Sequence, residues 1–303
     1  MKKIISLFLI VVLCFSSVTA FAKTPLLDTT QLMMGDANKD GKVTAGDART
    51  VLRISAKLDA QDSVNLYSVD ADGNGKITAS DARTILRVAA NLSEFVYGFD
   101  GNGVPCALNV LKSTKYSADV TFYDDITGDS GFPISFAKNN NNFYFSSDSV
   151  EDMMGGGTDT GSGGLQLDIV PKGIMKSNEK KYIIIEIAGE KGVMEITKAL
   201  ADMAGLDMAE FEQMIKESND MITSILPDNA GAASRTTLND ENVFCYDYEI
   251  ESNKYKLYVS ENGKLISICD ALGSSDKPLV SFDKITDGSS DKYFDIDSYA
   301  FQW

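Results

Sequence analysis

The sequence predicts an α+β fold in which a small all-α region precedes a curved antiparallel β-sheet with two helices on one face. Three observations support this prediction. A loop–helix unit occurs twice, near residues 35 and 69, so residues 28–95 contain two copies of one supersecondary structure. Alternating apolar residues and two-residue turns between 243 and 270 are typical of an antiparallel meander. Two helical segments separate the earlier strand-like runs from this meander, an order that is typical of an α+β domain.

Residues 1–22 have the pattern of a secretory signal peptide. Lys2 and Lys3 precede an apolar run at residues 4–13, and an Ala-x-Ala cleavage site ends at Ala22. The apolar run is short for a helix that spans a membrane. We therefore expect a secreted, extracellular protein with no transmembrane segment after cleavage.

Each repeat begins with oxygen-bearing side chains at alternate positions of a twelve-residue loop. A Ca2+ ion takes six to eight oxygen ligands, and such a loop supplies them from positions 1, 3, 5 and 12 and from the backbone carbonyl of position 7. Gly41 and Gly75, at position 6, permit the sharp turn. The pattern predicts two Ca2+ ions, one in each loop. The predicted ligands are Asp36, Asn38, Asp40, Lys42 and Asp47 in the first loop, and Asp70, Asp72, Asn74, Lys76 and Asp81 in the second.

The residues that follow each loop predict an amphipathic helix. Thr44 and Asp47, like Thr78 and Asp81, have the spacing of a capping box. The alternative interpretation is an acidic, glycine-rich turn before an ordinary helix, but two complete matches with duplicated helices favour calcium binding. The residues at helical spacing are Ala48, Val51, Leu52, Ser55 and Leu58, and Ala82, Ile85, Leu86, Ala89 and Leu92.

The two loops and helices resemble a type I dockerin, the module that docks secreted proteins onto cohesin domains. The resemblance covers about residues 28–95 and rests on the loop positions quoted above. It implies a cohesin partner, attachment to a cellulosome or cell-surface scaffold, and a setting of polysaccharide degradation. In that family, loop positions 10 and 11 and basic residues of the following helix contact cohesin; the alternative for these arginines is a solvated helix face. The implied contact residues are Ala45, Gly46, Arg49 and Arg53, and Ala79, Ser80, Arg83 and Arg87.

Composition restricts the other functions. The formal charge of −16 argues against a nucleic-acid partner, because phosphates require clustered Lys and Arg. The chain contains no histidine, which removes Ser-His-Asp, Cys-His and His-metal chemistry. A carboxylate pair, as in glycosidases, survives, but 44 acidic residues make chance pairs easy to propose. The sequence therefore leans against an enzyme and assigns no catalytic residue. Carboxylates that fit only by this loose criterion are Glu186, Glu195, Asp247 and Glu249.

Residues 96–104 are interpreted as a short linker and residues 105–303 as one β-rich α+β domain. A helix in this domain is predicted from Asp207, as N-cap, to Pro227. Strands are predicted at 116–123, 132–136, 143–146, 165–170, 182–187, 243–251, 254–261, 264–270, 279–285 and 293–296.

The meander has a predicted register. Two-residue turns at 252–253 and 262–263 place Tyr246 opposite Val259, and they pair Leu257 with Ile268. The same register separates Cys245 from Cys269, so these residues and Cys106 are expected to be free thiols.

Several roles stay open for residues 105–303. Their element order loosely resembles the half-barrel of periplasmic lipoprotein carriers, which implies an apolar ligand. The alternative is that the apolar stripe of the meander packs as ordinary core; a glycan ligand is a further option. The favoured interpretation is a non-catalytic domain displayed by the dockerin-like region.

Overall fold

The structure is a computed structural model. It describes residues 26–27, 32–123, 131–147, 169–199, 209, 213, 220, 223–227, 233–271, 278–288 and 290–302. Four α-helices lie between residues 45 and 112 and a series of antiparallel strands follows, so the predicted α+β class is confirmed. The chain forms two compact units. The repeat unit contains the described residues of Ser17–Ser113 and Ile225–Asp287; the second unit contains those of Thr114–Ser224 and Gly288–Trp303.

Local sequence explains where the long helices begin. The α-helices of residues 32–123 are α1 Ala45–Ser55, α2 Leu66–Val69, α3 Ala79–Ala89 and α4 Cys106–Lys112. Thr44 precedes α1 and Thr78 precedes α3, and each closes the predicted capping box with the aspartate three residues later. α4 is not among the predicted helices, because a short helix that is buried on most sides has no clear amphipathic stripe.

The strands of each unit pair antiparallel along the chain. Their bounds are β1 Leu26–Leu27, β2 Lys115–Phe122, β3 Phe132–Asn139, β4 Asn142–Ser146, β5 Ile169–Ser177, β6 Lys180–Ile187, β7 Glu190–Glu195, β8 Ala233–Leu238, β9 Glu241–Ile250, β10 Asn253–Ser260, β11 Leu265–Asp270 and β12 Pro278–Asp287. In the repeat unit the order is β1-β8-β9-β10-β11-β12. In the second unit the order is β2-β3-β4-β5-β6-β7. β1, β7 and β8 are not among the strands predicted from the sequence.

The predicted meander forms, but one of its turns lies one residue earlier than expected. Glu251 and Ser252 have φ values of 49° and 73° and make the β9–β10 turn. As a result Tyr246 lies opposite Leu257 and not opposite Val259, a shift of two positions. The predicted partner of Leu257 in β11, Ile268, is correct. Because side chains alternate with a period of two, this shift keeps the apolar residues of β9 on their predicted face.

Both faces of the meander are buried. Tyr246, Leu257 and Ile268 are completely inaccessible on one face, so the predicted apolar stripe packs as core. On the opposite face Cys245 and Cys269 belong to one apolar cluster. The three cysteines of the described residues, Cys106, Cys245 and Cys269, are buried and form no disulfide with one another.

A segment after α3 packs against both repeats. The Phe95 ring lies so close to Gly35 that a Cβ there would approach it to 2.6 Å. The Tyr97 ring lies similarly close to Gly73, at 2.7 Å from such a Cβ. Two glycines are therefore needed for this packing, since both also have positive φ values.

The same segment continues to the meander within the repeat unit. Phe99 is completely buried and meets Phe244 of β9 edge to face, with ring centroids 5.3 Å apart. The backbone N–H of Gly98 donates to the carbonyl of Asn262 at 2.8 Å. These contacts involve residues that the sequence suggested as a linker; the boundaries of the expected domains stay a prediction.

The C-terminal residues cover one face of the second unit. Phe294 packs in a cluster with residues of β3 to β7, and the carbonyl of Phe301 accepts from the N–H of Val193 at 3.0 Å. The strand predicted at 293–296 is wrong, because this region forms 3-10 helices at Ser290–Tyr293 and Ile296–Ser298. The backbone carbonyls of Asp291 and Asp295 accept hydrogen bonds from N–H groups three residues later in the chain, and not from a neighbouring strand. The signal peptide and most of the predicted helix before Pro227 lie outside the described residues.

Candidate functional site

The first loop is organised around two buried carboxylates. Asp36 accepts hydrogen bonds from the backbone N–H groups of Asp40, at 3.0 Å, and Gly41, at 2.8 Å. Asp47 is completely buried and accepts from the N–H of Asn38 at 3.2 Å. The loop backbone thus curls around positions 1 and 12, as the calcium-loop pattern predicts.

The second loop repeats these contacts at the same positions. Asp70 accepts from the N–H groups of Asn74, at 3.0 Å, and Gly75, at 2.8 Å. Asp81 is completely buried and accepts from the N–H of Asp72 at 3.1 Å. Carboxylate oxygens of Asp70, Asp72 and Asp81 lie within 4.8 Å of one another. The fold therefore brings three predicted ligands of this loop together.

The electrostatics of the second loop favour a cation. Burial raises the pKa of Asp70, and the negative charges of Asp81 and Asp72 raise it further, against the lowering effect of two backbone N–H donors. Clustered carboxylate oxygens are the ligands that a hard divalent ion prefers. The residues present therefore fit Ca2+, which when bound supplies two positive charges that offset the repulsion among the carboxylates.

The other predicted ligands lie on the exposed rim of each loop. The Asp40 carboxylate accepts from the N–H of Lys42 at 2.9 Å, and its other oxygen accepts from the Asn38 amide at 3.0 Å. The Asn74 carbonyl oxygen accepts from the N–H of Lys76 at 2.9 Å. Both lysine residues are exposed, which agrees with a predicted role for their backbone carbonyls alone.

The last ligand position of each loop also starts a helix. Asp47 accepts from the N–H and the hydroxyl of Thr44, at 2.9 and 2.7 Å. Asp81 accepts from the same groups of Thr78, at 2.7 and 2.9 Å. A carboxylate in the first turn also interacts favourably with the helix dipole. One side chain per repeat therefore links the loop to the orientation of the helix that follows.

The family-implied contact residues form two exposed faces. α1 and α3 bury another side of each helix, with Val51 and Ile85 completely inaccessible. We call the exposed residues of α1 the first face and those of α3 the second face. The first face contains Ala45, Gly46, Arg49 and Arg53, and the second contains Ala79, Ser80, Arg83 and Arg87.

Exposed leucines, which the sequence analysis placed with the apolar helix stripe, accompany each face. Leu52 and Leu86 are each 49% exposed, and Leu58 and Leu92 are each 67% exposed. The core stripe is narrower than predicted, since only one line of residues on each helix is buried. Exposed leucines therefore recur at equal positions in both copies of the repeat. The sequence does contain a signal that could have singled out these leucines, because they recur at the same positions in both copies of the repeat.

The carboxylates considered for a glycosidase belong to different units of the fold. Glu195 pairs with Lys180 at 2.7 Å, and Glu186 lies 4.0 Å from Lys172. Both glutamates belong to the second unit, whereas Asp247 and Glu249 lie exposed in the repeat unit.

A small cavity beside β11 and β12 in the repeat unit has a volume of about 10 Å³, which is close to the minimum for one water molecule. The apolar stripe considered as a ligand wall is filled by the chain's own side chains. Among the residues that the structure describes, none of the helices has the length and apolar character needed to cross a membrane.

Comparison with known families identifies the repeated region. Residues 34–87 match the model of the type I dockerin domain. The match covers both loops and most of the helices α1 to α3, so the resemblance seen in the sequence is confirmed. It supports calcium binding and cohesin docking in a cellulosome-type setting. A search of curated proteins gives no match.

Proposed function

We propose that this chain is a secreted protein that binds two Ca2+ ions and docks onto a cohesin domain through its helix faces. In this proposal residues 1–22 are removed as a signal peptide, residues 28–95 dock, and residues 105–303 are displayed as a non-catalytic domain beside polysaccharide-degrading machinery. The observation that carries the proposal is the duplicated set of contacts around Asp36 and Asp70.

The duplication supports two ions and not one. Asp36 and Asp70 accept from the N–H groups four and five positions later at the same distances, 3.0 and 2.8 Å. Asp47 and Asp81 likewise accept from equivalent donors. Because the backbone contacts of positions 1 and 12 are the same in both loops, the metal that fits the carboxylate cluster of the second loop is proposed for the first loop as well.

The proposed docking depends on the orientation of α1 and α3, which the loops fix. The bonds from the helix starts to Asp47 and Asp81 link the ligand positions to the exposed faces. Arginines and leucines on those faces supply charge-assisted hydrogen bonds and apolar contact area, the two contributions that protein interfaces combine. The positive faces of an otherwise acidic chain suit an acidic partner surface.

A non-catalytic role for residues 105–303 is supported by the packing of its candidate sites. The stripe considered for an apolar ligand is core, and two of the carboxylates considered for hydrolysis lie beside lysines. A structural or glycan-facing domain is therefore the proposed cargo.

The proposal is tested by counting ions and measuring docking in one experiment. Native mass spectrometry of the mature chain is expected to show two Ca2+ ions, and Asp36→Ala and Asp70→Ala are each expected to remove one. Binding to a panel of recombinant type I cohesin modules is then measured with and without a chelator. The double variant is expected to lose binding as the chelator does. Cohesin binding that persists in chelator would contradict the proposed role of the loops.

A further inference from the structure

The two exposed faces are similar, but two differences between them bear on binding. The first turn of α1 carries Gly46 where α3 carries Ser80. After the helices, Asp59 in the first repeat corresponds to Ser93 in the second. The first difference removes a hydroxyl from the first face. The second difference places a carboxylate beside one of its arginines.

The carboxylate of Asp59 forms a salt bridge with the guanidinium of Arg53. Arg53 Nε donates to Asp59 Oδ2 at 2.6 Å, and Arg53 Nη2 donates to Asp59 Oδ1 at 2.7 Å. This is a bidentate pair, the geometry in which arginine binds a carboxylate most specifically. The two side chains are 45% and 35% exposed, so the pair forms on the protein surface. A partner that approaches the first face therefore meets an arginine that already has a carboxylate.

Arg87, at the equivalent position of the second face, keeps its charge available. Its Nη2 donates to the backbone carbonyl of Leu92 at 3.3 Å, a neutral acceptor. Within the part of the chain that the structure describes, Arg87 pairs with no carboxylate. Net charge does not explain the contrast, because the first repeat has Lys57 where the second has Asn91 and this lysine offsets Asp59.

We propose that the second face, and not the first, is the preferred docking surface for an acidic patch of a cohesin domain. The inference rests on the proposed docking function. Docking through the first face requires the Arg53–Asp59 pair to open and leaves the Asp59 carboxylate facing the partner's carboxylates, which like-charge repulsion disfavours. The second face offers Arg87 without that cost and adds the Ser80 hydroxyl. Asp59 is thus a specificity residue that selects between two otherwise similar orientations.

The test exchanges the distinguishing residues in the full mature chain and measures affinity for the best-binding cohesin of the panel. Arg87→Ala is expected to weaken binding about tenfold, and Arg53→Ala less than about threefold, as expected when one of two charges makes a desolvated contact. Ser93→Asp is expected to weaken binding as Arg87→Ala does, because it supplies the pairing carboxylate. Asp59→Ser is expected to make the Arg87→Ala loss smaller, because Arg53 then becomes available.

Calcium content and thermal stability serve as controls, since none of these four residues is a predicted ligand. Equal losses for Arg53→Ala and Arg87→Ala, or a larger loss for Arg53→Ala, would overturn the preference while leaving docking intact. Failure of the wild-type chain to bind any cohesin would instead overturn the proposed function, and the inference with it.

Discussion

Removal of calcium is expected to destabilise the β9–β11 meander as well as the loops. The two regions are joined inside the repeat unit by contacts distant in sequence. The hydroxyl of Tyr67, which shortly precedes Asp70, donates to Glu261 Oε2 at 2.9 Å. The carbonyl of Phe99 accepts from the N–H of Met34, just before the first loop, at 2.7 Å, and the Phe99 ring packs on β9. Both loops therefore have a direct connection to the sheet.

The magnitude follows from comparing two free energies. A ligand at one hundred times its dissociation constant stabilises the folded state by about 2.7 kcal/mol per site. Truncation of a completely buried phenylalanine such as Phe99 costs about 3–5 kcal/mol. Because the connection is at least as strong as the increment from one ion, the sheet and the loops are expected to unfold together. The meander should then gain about 2.7 kcal/mol per ion, which corresponds to roughly a hundredfold slower hydrogen exchange.

Hydrogen exchange of peptides from β10 and β11, with calcium and with chelator, measures this effect. Phe99→Ala is expected to reduce the calcium-dependent slowing in the sheet while helices α1 and α3 keep theirs. The double variant Asp36→Asn with Asp70→Asn serves as the control and should show no calcium response. Unchanged exchange in β10 and β11, alongside slower exchange in the helices, would refute the coupling.

Three further outcomes are expected. Asp81→Asn should remove one Ca2+ ion by mass spectrometry and cost about 0.5–2 kcal/mol in chelator through the weakened helix-start bonds, and Asp47→Asn should match it. Gly263→Ala should lower the free energy of unfolding by more than about 1 kcal/mol, since its φ is +78° and a Cβ would lie 2.3 Å from the Gly98 backbone. Gly189→Ala is the control for backbone strain alone: Gly189 also has a positive φ, but a Cβ there would meet no atom within 4 Å, so this variant should cost less. Burial raises the pKa of Cys245 from 9.0 to about 12, so the thiol ionises at a lower pH in the unfolded chain than in the folded chain. The free energy of unfolding should therefore fall as the pH rises from 9.0 towards 12. If the melting temperature of Cys245→Ala falls as steeply over this range as that of the wild-type chain, the prediction is wrong.

The meander shows which parts of the sheet the sequence could predict. Alternation of apolar residues identifies β9 to β11, and it survives a register error because the error is two positions. The error itself comes from the turn, where local sequence favours Asn253 for a positive φ but Glu251 and Ser252 adopt it. A bulge between Tyr258 and Val259 then changes the pairing with β11. Turn and bulge geometry depend on how the strands pack, which local sequence does not contain.

Comparison of the two repeats distinguishes contacts that local sequence determines from contacts that depend on distant residues. Asp36 and Asp70 make equal contacts because their backbone donors lie only four and five positions away, and for that reason the calcium-loop pattern predicts those contacts from sequence. The exposure of the leucines depends on which neighbour each helix meets, so periodicity alone places them on the wrong face. The pairing of Arg53 with Asp59 is local, since the two residues are six positions apart, but it depends on a single residue that differs between the repeats. The contact between Tyr67 and Glu261 spans 194 residues and has no counterpart in any sequence pattern. Duplication therefore specifies two loops with the same backbone contacts, whereas a single difference, aspartate at position 59 in place of serine at position 93, gives Arg53 a carboxylate partner that Arg87 does not have among the described residues.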